Sequence, residues 1–162
     1  MGVSGSGKTT IGNALSSQLD WSFYDGDDYH PDENIEKMSR GIPLSDEDRL
    51  TWLEILSNLL AEKHLAGENL VLACSALKQV YRQKLRSKNR NLIFIYLKGD
   101  FELIWQRMRT RQEHYMKPEM LRSQFDILEP PQDALSLDIH RPVPENVQAI
   151  IEYISELNDL KD

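Results

Sequence analysis

The sequence predicts an α/β fold in which a parallel sheet carries helices on both faces. Three observations lead there. Hydrophobic periodicity alternates between strand-like and helix-like segments along the 162 residues. A continuous apolar run at 70–74 reads as a strand buried on both faces, and 91–97 as the next buried strand. A glycine-rich stretch at 2–7 opens directly into a helical pattern, the arrangement that binds anions at a helix N-terminus.

Each element follows from its own signals. Ile11, Ala14, Leu15 and Leu19 share one helical face. Residues 21–24 form a short strand that runs into Asp25-Gly26-Asp27. Residues 28–44 are polar and contain Pro31, Gly41 and Pro43, which predicts a loop or broken helix. Ser45 starts a long helix. Asp48, three residues on, approximates a capping box, and Trp52, Leu53, Leu56, Leu59 and Leu60 form the inner face before Gly67 ends it. Residues 78–86 read as helix, and Asp100 caps the next one, with Leu103, Ile104 and Met108 inward. Pro118 opens a helix carrying Leu121, Phe125 and Leu128. Residues 134–139 alternate as a last strand. Pro144 then opens a terminal helix with Val147, Ile150, Ile151, Ile154 and Leu157 on one side.

Composition narrows the function classes. The length and the lack of any repeat or linker predict one domain over 1–162. Net charge is −7, with 19 Lys+Arg against 26 Asp+Glu, which argues against a nucleic-acid partner. No apolar run approaches the roughly 18 residues of a membrane span, and nothing resembles a signal peptide. The single cysteine, Cys74, makes no internal disulfide and no Cys-based metal site. It reads as a buried filler, and a cytoplasmic location is the expectation.

The chemistry concentrates at the start. Gly2-Val3-Ser4-Gly5-Ser6-Gly7-Lys8-Thr9 satisfies G-x-x-x-x-G-K-[ST]. Its backbone N–H groups surround phosphate oxygens, Lys8 reaches the β- and γ-phosphates of a nucleotide, and the Thr9 hydroxyl suits Mg²⁺. Past the first strand, Asp25 and Asp27 flank a glycine at the sheet edge where ligands collect. Asp25 suits Mg²⁺ through water, and Asp27 suits accepting a proton from an attacking hydroxyl. An ordinary acidic turn is the alternative. Arg49 either grips a carboxylate or polyol or pairs with Asp46 or Asp48. Ser75 lies either at the ligand edge or at a helix cap. Arg107, Arg109, Arg111 and His114 lie in or beside a segment near 107–117 that reads as a lid. Arg107 and Arg111 share a helical face, so one or both would reach phosphates on closure, the alternative being a solvated basic face.

These segments together resemble gluconokinases of the shikimate-kinase-like P-loop family. The carriers are M-G-V-S-G-S-G-K-T at 1–9, D-G-D-D-Y-H-P-x-x-N-x-x-K-M at 25–38 and G-I-P-L-S-D-E-D-R-L-x-W-L at 41–53. They continue with A-C-S-A-L-K-x-x-Y-R at 73–82 and S-Q-F-x-x-L-E-P-P at 123–131. The resemblance implies a P-loop kinase fold with a mobile lid and phosphorylation of D-gluconate on its 6-hydroxyl by ATP and Mg²⁺. It implies that residues 2–9 and Arg111 hold ATP. Asp27, Arg49, Ser75 and His114 would face the sugar acid, with hydrogen-bonding groups from 27–38. It leaves room for a homodimer. Two departures accompany it. Glu113, followed by Tyr115, stands where the family's lid usually has a glycine before its His-aromatic pair. The family's first, central strand precedes the phosphate loop, and this sequence opens on the loop itself. Losing about three buried aliphatic side chains at roughly 1.5–3 kcal/mol each predicts a cost near 5–9 kcal/mol. A shortened form is therefore expected, and an inactive chain or a related shikimate or nucleoside kinase are the competing readings. A GTPase is disfavoured, since N-K-x-D is lacking.

Overall fold

The computed structural model describes residues 1–110 and 118–159. The order is α1 (Lys8–Leu19), β1 (Ser22–Asp25), a 3₁₀ turn (Gly26–Tyr29), α2 (Asp32–Ser39), α3 (Asp46–Leu65) and β2 (Leu70–Ala73). There follow α4 (Gln79–Arg86), β3 (Ile95–Lys98), α5 (Phe101–Arg109), α6 (Pro118–Ile127), β4 (Leu135–Asp138) and α7 (Val143–Asp159). The capping box predicted for α3 is complete: the Ser45 hydroxyl accepts from Asp48 N–H, and the Asp48 carboxylate accepts from Ser45 N–H. Asp100 caps α5 by accepting from Leu103 N–H. The polar stretch after Asp27 is a broken helix, the 3₁₀ turn and α2 meeting at Pro31.

Every strand pair is parallel. Ser22 to Asp25 of β1 lie opposite Leu70 to Ala73 of β2, and Ile95 to Lys98 of β3 opposite Leu135 to Asp138 of β4. The expected single sheet is, however, two two-stranded sheets. A cavity of about 500 Å³ lies between β2 and β3, lined by Leu70, Leu72, Ile93, Ile95, Ile11 and Leu15 among others. At one end Met1 and Gly2 bridge it. The Met1 amine donates to Ile95 O, Leu97 N–H donates to Met1 O, and Gly2 N–H donates to Ser75 O.

This split corrects two expectations. Leu70, Val71 and Leu72 are half-buried rather than buried on both faces, because the cavity lies along the free edge of β2. The strand expected over 91–97 shortens to β3, since β4 offers partners only from Leu135 onward. Two cores flank the strands. One joins α1, α5, α6 and α7 around Ile104, Leu121 and Val147. The other joins α3 and α4 around Trp52, Leu53 and Tyr81.

Candidate active site

The donor half is a loop built by its own backbone. Gly7 is the N-cap of α1 at φ 94°, a left-handed conformation that favours glycine, and no side chain caps the helix there. The first N–H groups of α1 therefore stay open to an anion. Gly5, at φ 78°, passes so close to α5 that an added Cβ would sit 2.7 Å from Met108 Cγ. The cradle thus requires glycine for space as well as for conformation.

Lys8 is tied into the loop it serves. Its Nζ donates to Gly2 O and Val3 O, each at 3.1 Å. Burial pulls its pKa below the ordinary lysine value, while the charges of Asp27, Cys74 and Asp25 oppose that pull. From the far side α6 clamps the loop. Ser4 N–H donates to Gln124 Oε1 at 2.8 Å, and Gln124 Nε2 donates to Ser4 Oγ at 3.1 Å. The Ser6 hydroxyl, 1% exposed, has no hydrogen-bond partner among the described residues. Thr9 Oγ1 donates to Asp25 Oδ2 at 2.8 Å, which joins the loop to the end of β1. Hydroxyl and carboxylate oxygens are the hard donors Mg²⁺ takes, usually one or two from protein with phosphates and water completing the shell.

The acceptor half is assembled from distant segments. Asp25 caps the 3₁₀ turn by accepting from Asp27 N–H, and this leaves the Asp27 side chain 75% exposed. Trp52 of α3 donates from Nε1 to Gly26 O at 2.7 Å and fixes the turn from below. His30 stacks on Trp52 with ring centres 4.2 Å apart. Neither acidic neighbour holds Arg49. Asp46 accepts from Lys78 and from the Tyr81 hydroxyl, and Asp48 from Lys37 and Ser45. The Lys37 hydrogen bond and the Ser45 N–H hold Asp48 down at about 2. Arg49 instead lies over the Tyr81 ring at 5.8 Å and donates to its hydroxyl at 3.4 Å. Among the described residues it has no carboxylate partner, so its charge is available to a ligand.

The structure brings together most of the residues singled out from sequence: 2–9, Asp25, Asp27 and Arg49 meet at the carboxyl ends of β1 and β2. Ser75 lies just past β2, its carbonyl bonded to Gly2 N–H; it is no helix cap, because Lys78 occupies the N-cap of α4. Ala76 beside it takes φ 45°, a strained value for a residue with a side chain. Arg107 Nη2 donates to Ile139 O at 2.7 Å and ties α5 to the end of β4. Arg111, His114, Glu113 and Tyr115 lie outside the described residues. Cys74 is the buried filler expected, its thiol pushed up to about 12 by burial. Sequence reasoning missed Gln124, Tyr81 and Trp52 as site residues, because each reaches the site across the fold, and His30, which lies three residues past Asp27; only their place in the 123–131, 73–82 and 25–53 motifs pointed to them.

Comparison with known proteins agrees with this architecture. The shikimate kinase family matches residues 4–153. The chain is 43% identical to a probable gluconokinase of Mus musculus, over 95% of each chain. It is 44% identical to the thermoresistant gluconokinase of Escherichia coli, over 96% of this chain and 91% of that one. A gluconokinase structure from Sinorhizobium meliloti superimposes with a TM-score of 0.89 at 38% identity, over 99% of this chain and 93% of that one. Among the described residues, no helix is long and apolar enough to cross a membrane. A P-loop kinase fold, with the phosphate loop and acidic turn at one sheet edge, places this chain in the shikimate kinase family, among its gluconokinases.

Proposed function

We propose that this chain transfers the γ-phosphoryl group of ATP to the 6-hydroxyl of D-gluconate, giving 6-phospho-D-gluconate and ADP. One observation carries the reading: an exposed carboxylate, Asp27, and an arginine without a carboxylate partner among the described residues, Arg49, share one edge with a complete phosphate loop. The close relation to gluconokinases supports the choice of acceptor.

The residues divide the work. The loop N–H groups and the α1 N-terminus hold the β- and γ-phosphates, and Lys8 places positive charge where negative charge accumulates in transfer. Thr9 and Asp25 would hold Mg²⁺, which neutralises phosphate charge when bound. Arg49 pairs with the gluconate carboxylate through its planar fork, and the Tyr81 ring keeps that fork in place. Asp27 orients the 6-hydroxyl and accepts its proton as the oxygen bonds to the γ-phosphorus and the bond to the β-phosphate oxygen breaks. In so loose a transition state, orientation matters more than basicity. Arg111 and His114 are assigned to the lid, Arg111 toward ATP and His114 toward the sugar acid. Ser75 is assigned to the acceptor side. Dimerisation is not required by this scheme. A cytoplasmic setting suits its substrates.

A coupled assay for ADP formation with gluconate, shikimate and nucleosides tests the reading. Gluconate-dependent turnover supports it. Turnover with shikimate or a nucleoside instead overturns it.

A further inference from the structure

His30 lies beside Asp27, on the turn that follows β1. Its side chain is only 5% exposed, yet its Nε2 lies 3.9 Å from Asp27 Oδ1. The ring is held on two sides. Trp52 stacks on it at 4.2 Å with planes 16° apart, and Trp52 is itself pinned to Gly26 O, the residue before Asp27. On the opposite edge of the ring, Asn34 Nδ2 lies 3.4 Å from His30 Nδ1.

Asn34 decides which ring nitrogen carries the proton. Its Nδ2 also donates to Asp48 O at 2.9 Å, and a backbone carbonyl only accepts, so the orientation of the amide is settled. The second N–H of that amide then meets His30 Nδ1, which must accept. In a neutral imidazole the proton therefore sits on Nε2, the nitrogen that faces Asp27. Burial favours the neutral ring, and of the two nearby charges Asp27 favours protonation while Arg49 opposes it. A neutral N–H beside Asp27 orients the carboxylate without competing for the substrate's proton. The other tautomer would set a lone pair against it.

We propose that His30 is a positioning residue for Asp27: locked as the Nε2–H tautomer by Asn34 and stacked on Trp52, it donates to one carboxylate oxygen and leaves the other for the acceptor hydroxyl. Asp27 is exposed, and a side-chain rotation closes the remaining gap once an acceptor fills the site. The inference rests on Asp27 serving as the proton acceptor of the proposed reaction.

Two measurements on the full chain test it. Nitrogen NMR of the imidazoles at pH 7, with the His30 signals assigned through His30→Gln, is expected to show Nε2 protonated and Nδ1 bare. A proton on Nδ1 overturns the proposal, and this readout stands even if other variants fail to fold. His30→Phe keeps a ring on Trp52 and removes the N–H. Its kcat is expected to fall about 10- to 100-fold, the range for one hydrogen bond to a charged group, with the KM for ATP unchanged. In an Asp27→Asn background the same substitution is expected to cost nothing further, because His30 acts only through that carboxylate. Unchanged kcat in the single variant, or a full additional loss in the double variant, overturns the proposal. If the wild-type chain uses an acceptor other than gluconate, the functional reading falls, and the same cycle run with that acceptor still decides the role of His30.

Discussion

The two halves of the site are built on opposite plans. The proposed phosphate half is one contiguous stretch, residues 2–9, whose backbone N–H groups and helix end would provide the binding surface. The acceptor half draws Asp27 from the turn after β1, Arg49 and Trp52 from α3, and Tyr81 from α4, up to 54 residues apart in sequence. The first half depends on glycine conformation and is local. The second depends on α3 packing against α4 and on the Trp52 bond to Gly26 O, so it exists only once the core around Trp52 and Tyr81 has formed. Donor binding is therefore expected to respond to changes in the loop and its clamp, and acceptor chemistry to changes on α3 and the 3₁₀ turn.

Substitutions confined to one half sharpen that contrast. Asp27→Asn is expected to lower kcat about 100-fold or more while ATP binding, read by equilibrium titration, stays unchanged. Loss of ATP affinity in this variant would break the division. Arg49→Ala is expected to raise the KM for gluconate about 10- to 100-fold and leave that for ATP alone, because a charge-assisted pair to the carboxylate is lost. Steady-state kinetics with each substrate varied in turn measure both. Gln124→Ala removes the clamp on Ser4 and is expected to raise the KM for ATP by less than about tenfold, with the KM for gluconate unchanged.

The same contrast explains what was legible in the sequence. Local rules act over a few residues, so the loop, the α3 capping box and the Asp100 cap could be read directly, and strand–helix alternation gave the parallel orientation but not which strands pair. Arg49 was visible as a candidate, but not that Lys78, Lys37 and Tyr81 occupy its acidic neighbours and leave it free. That outcome requires α4 to lie against α3, which periodicity does not encode. The bond from Arg107 to Ile139 O at the end of β4 was invisible for the same reason, since it joins elements 32 residues apart. The strand over 91–97 was overextended because apolar character marks burial, whereas strand length depends on how many partners a neighbour offers.

The smallest expected effect on turnover concerns the cavity between β2 and β3, where the readout is stability. Fusing a short apolar strand ahead of Met1 is expected to fill the space beside Leu70, Leu72 and Ile95 and to pair with both free edges. Thermal unfolding should then shift upward by roughly 10 °C or more, following the several kcal/mol that such burial contributes. Equal melting temperatures with and without the added strand would show that the cavity costs the fold little.

The central claim is that a backbone-built donor cradle and a packing-built acceptor site meet on one edge to phosphorylate gluconate. The most direct measurement is ADP release from purified wild-type and Lys8→Ala protein, with gluconate present or withheld. The account predicts gluconate-dependent ADP release from wild type and a loss of at least about 100-fold on Lys8→Ala, since the loop would lose the charge that meets the transferring phosphate. ADP release that is indifferent to gluconate, or that survives Lys8→Ala, would contradict it.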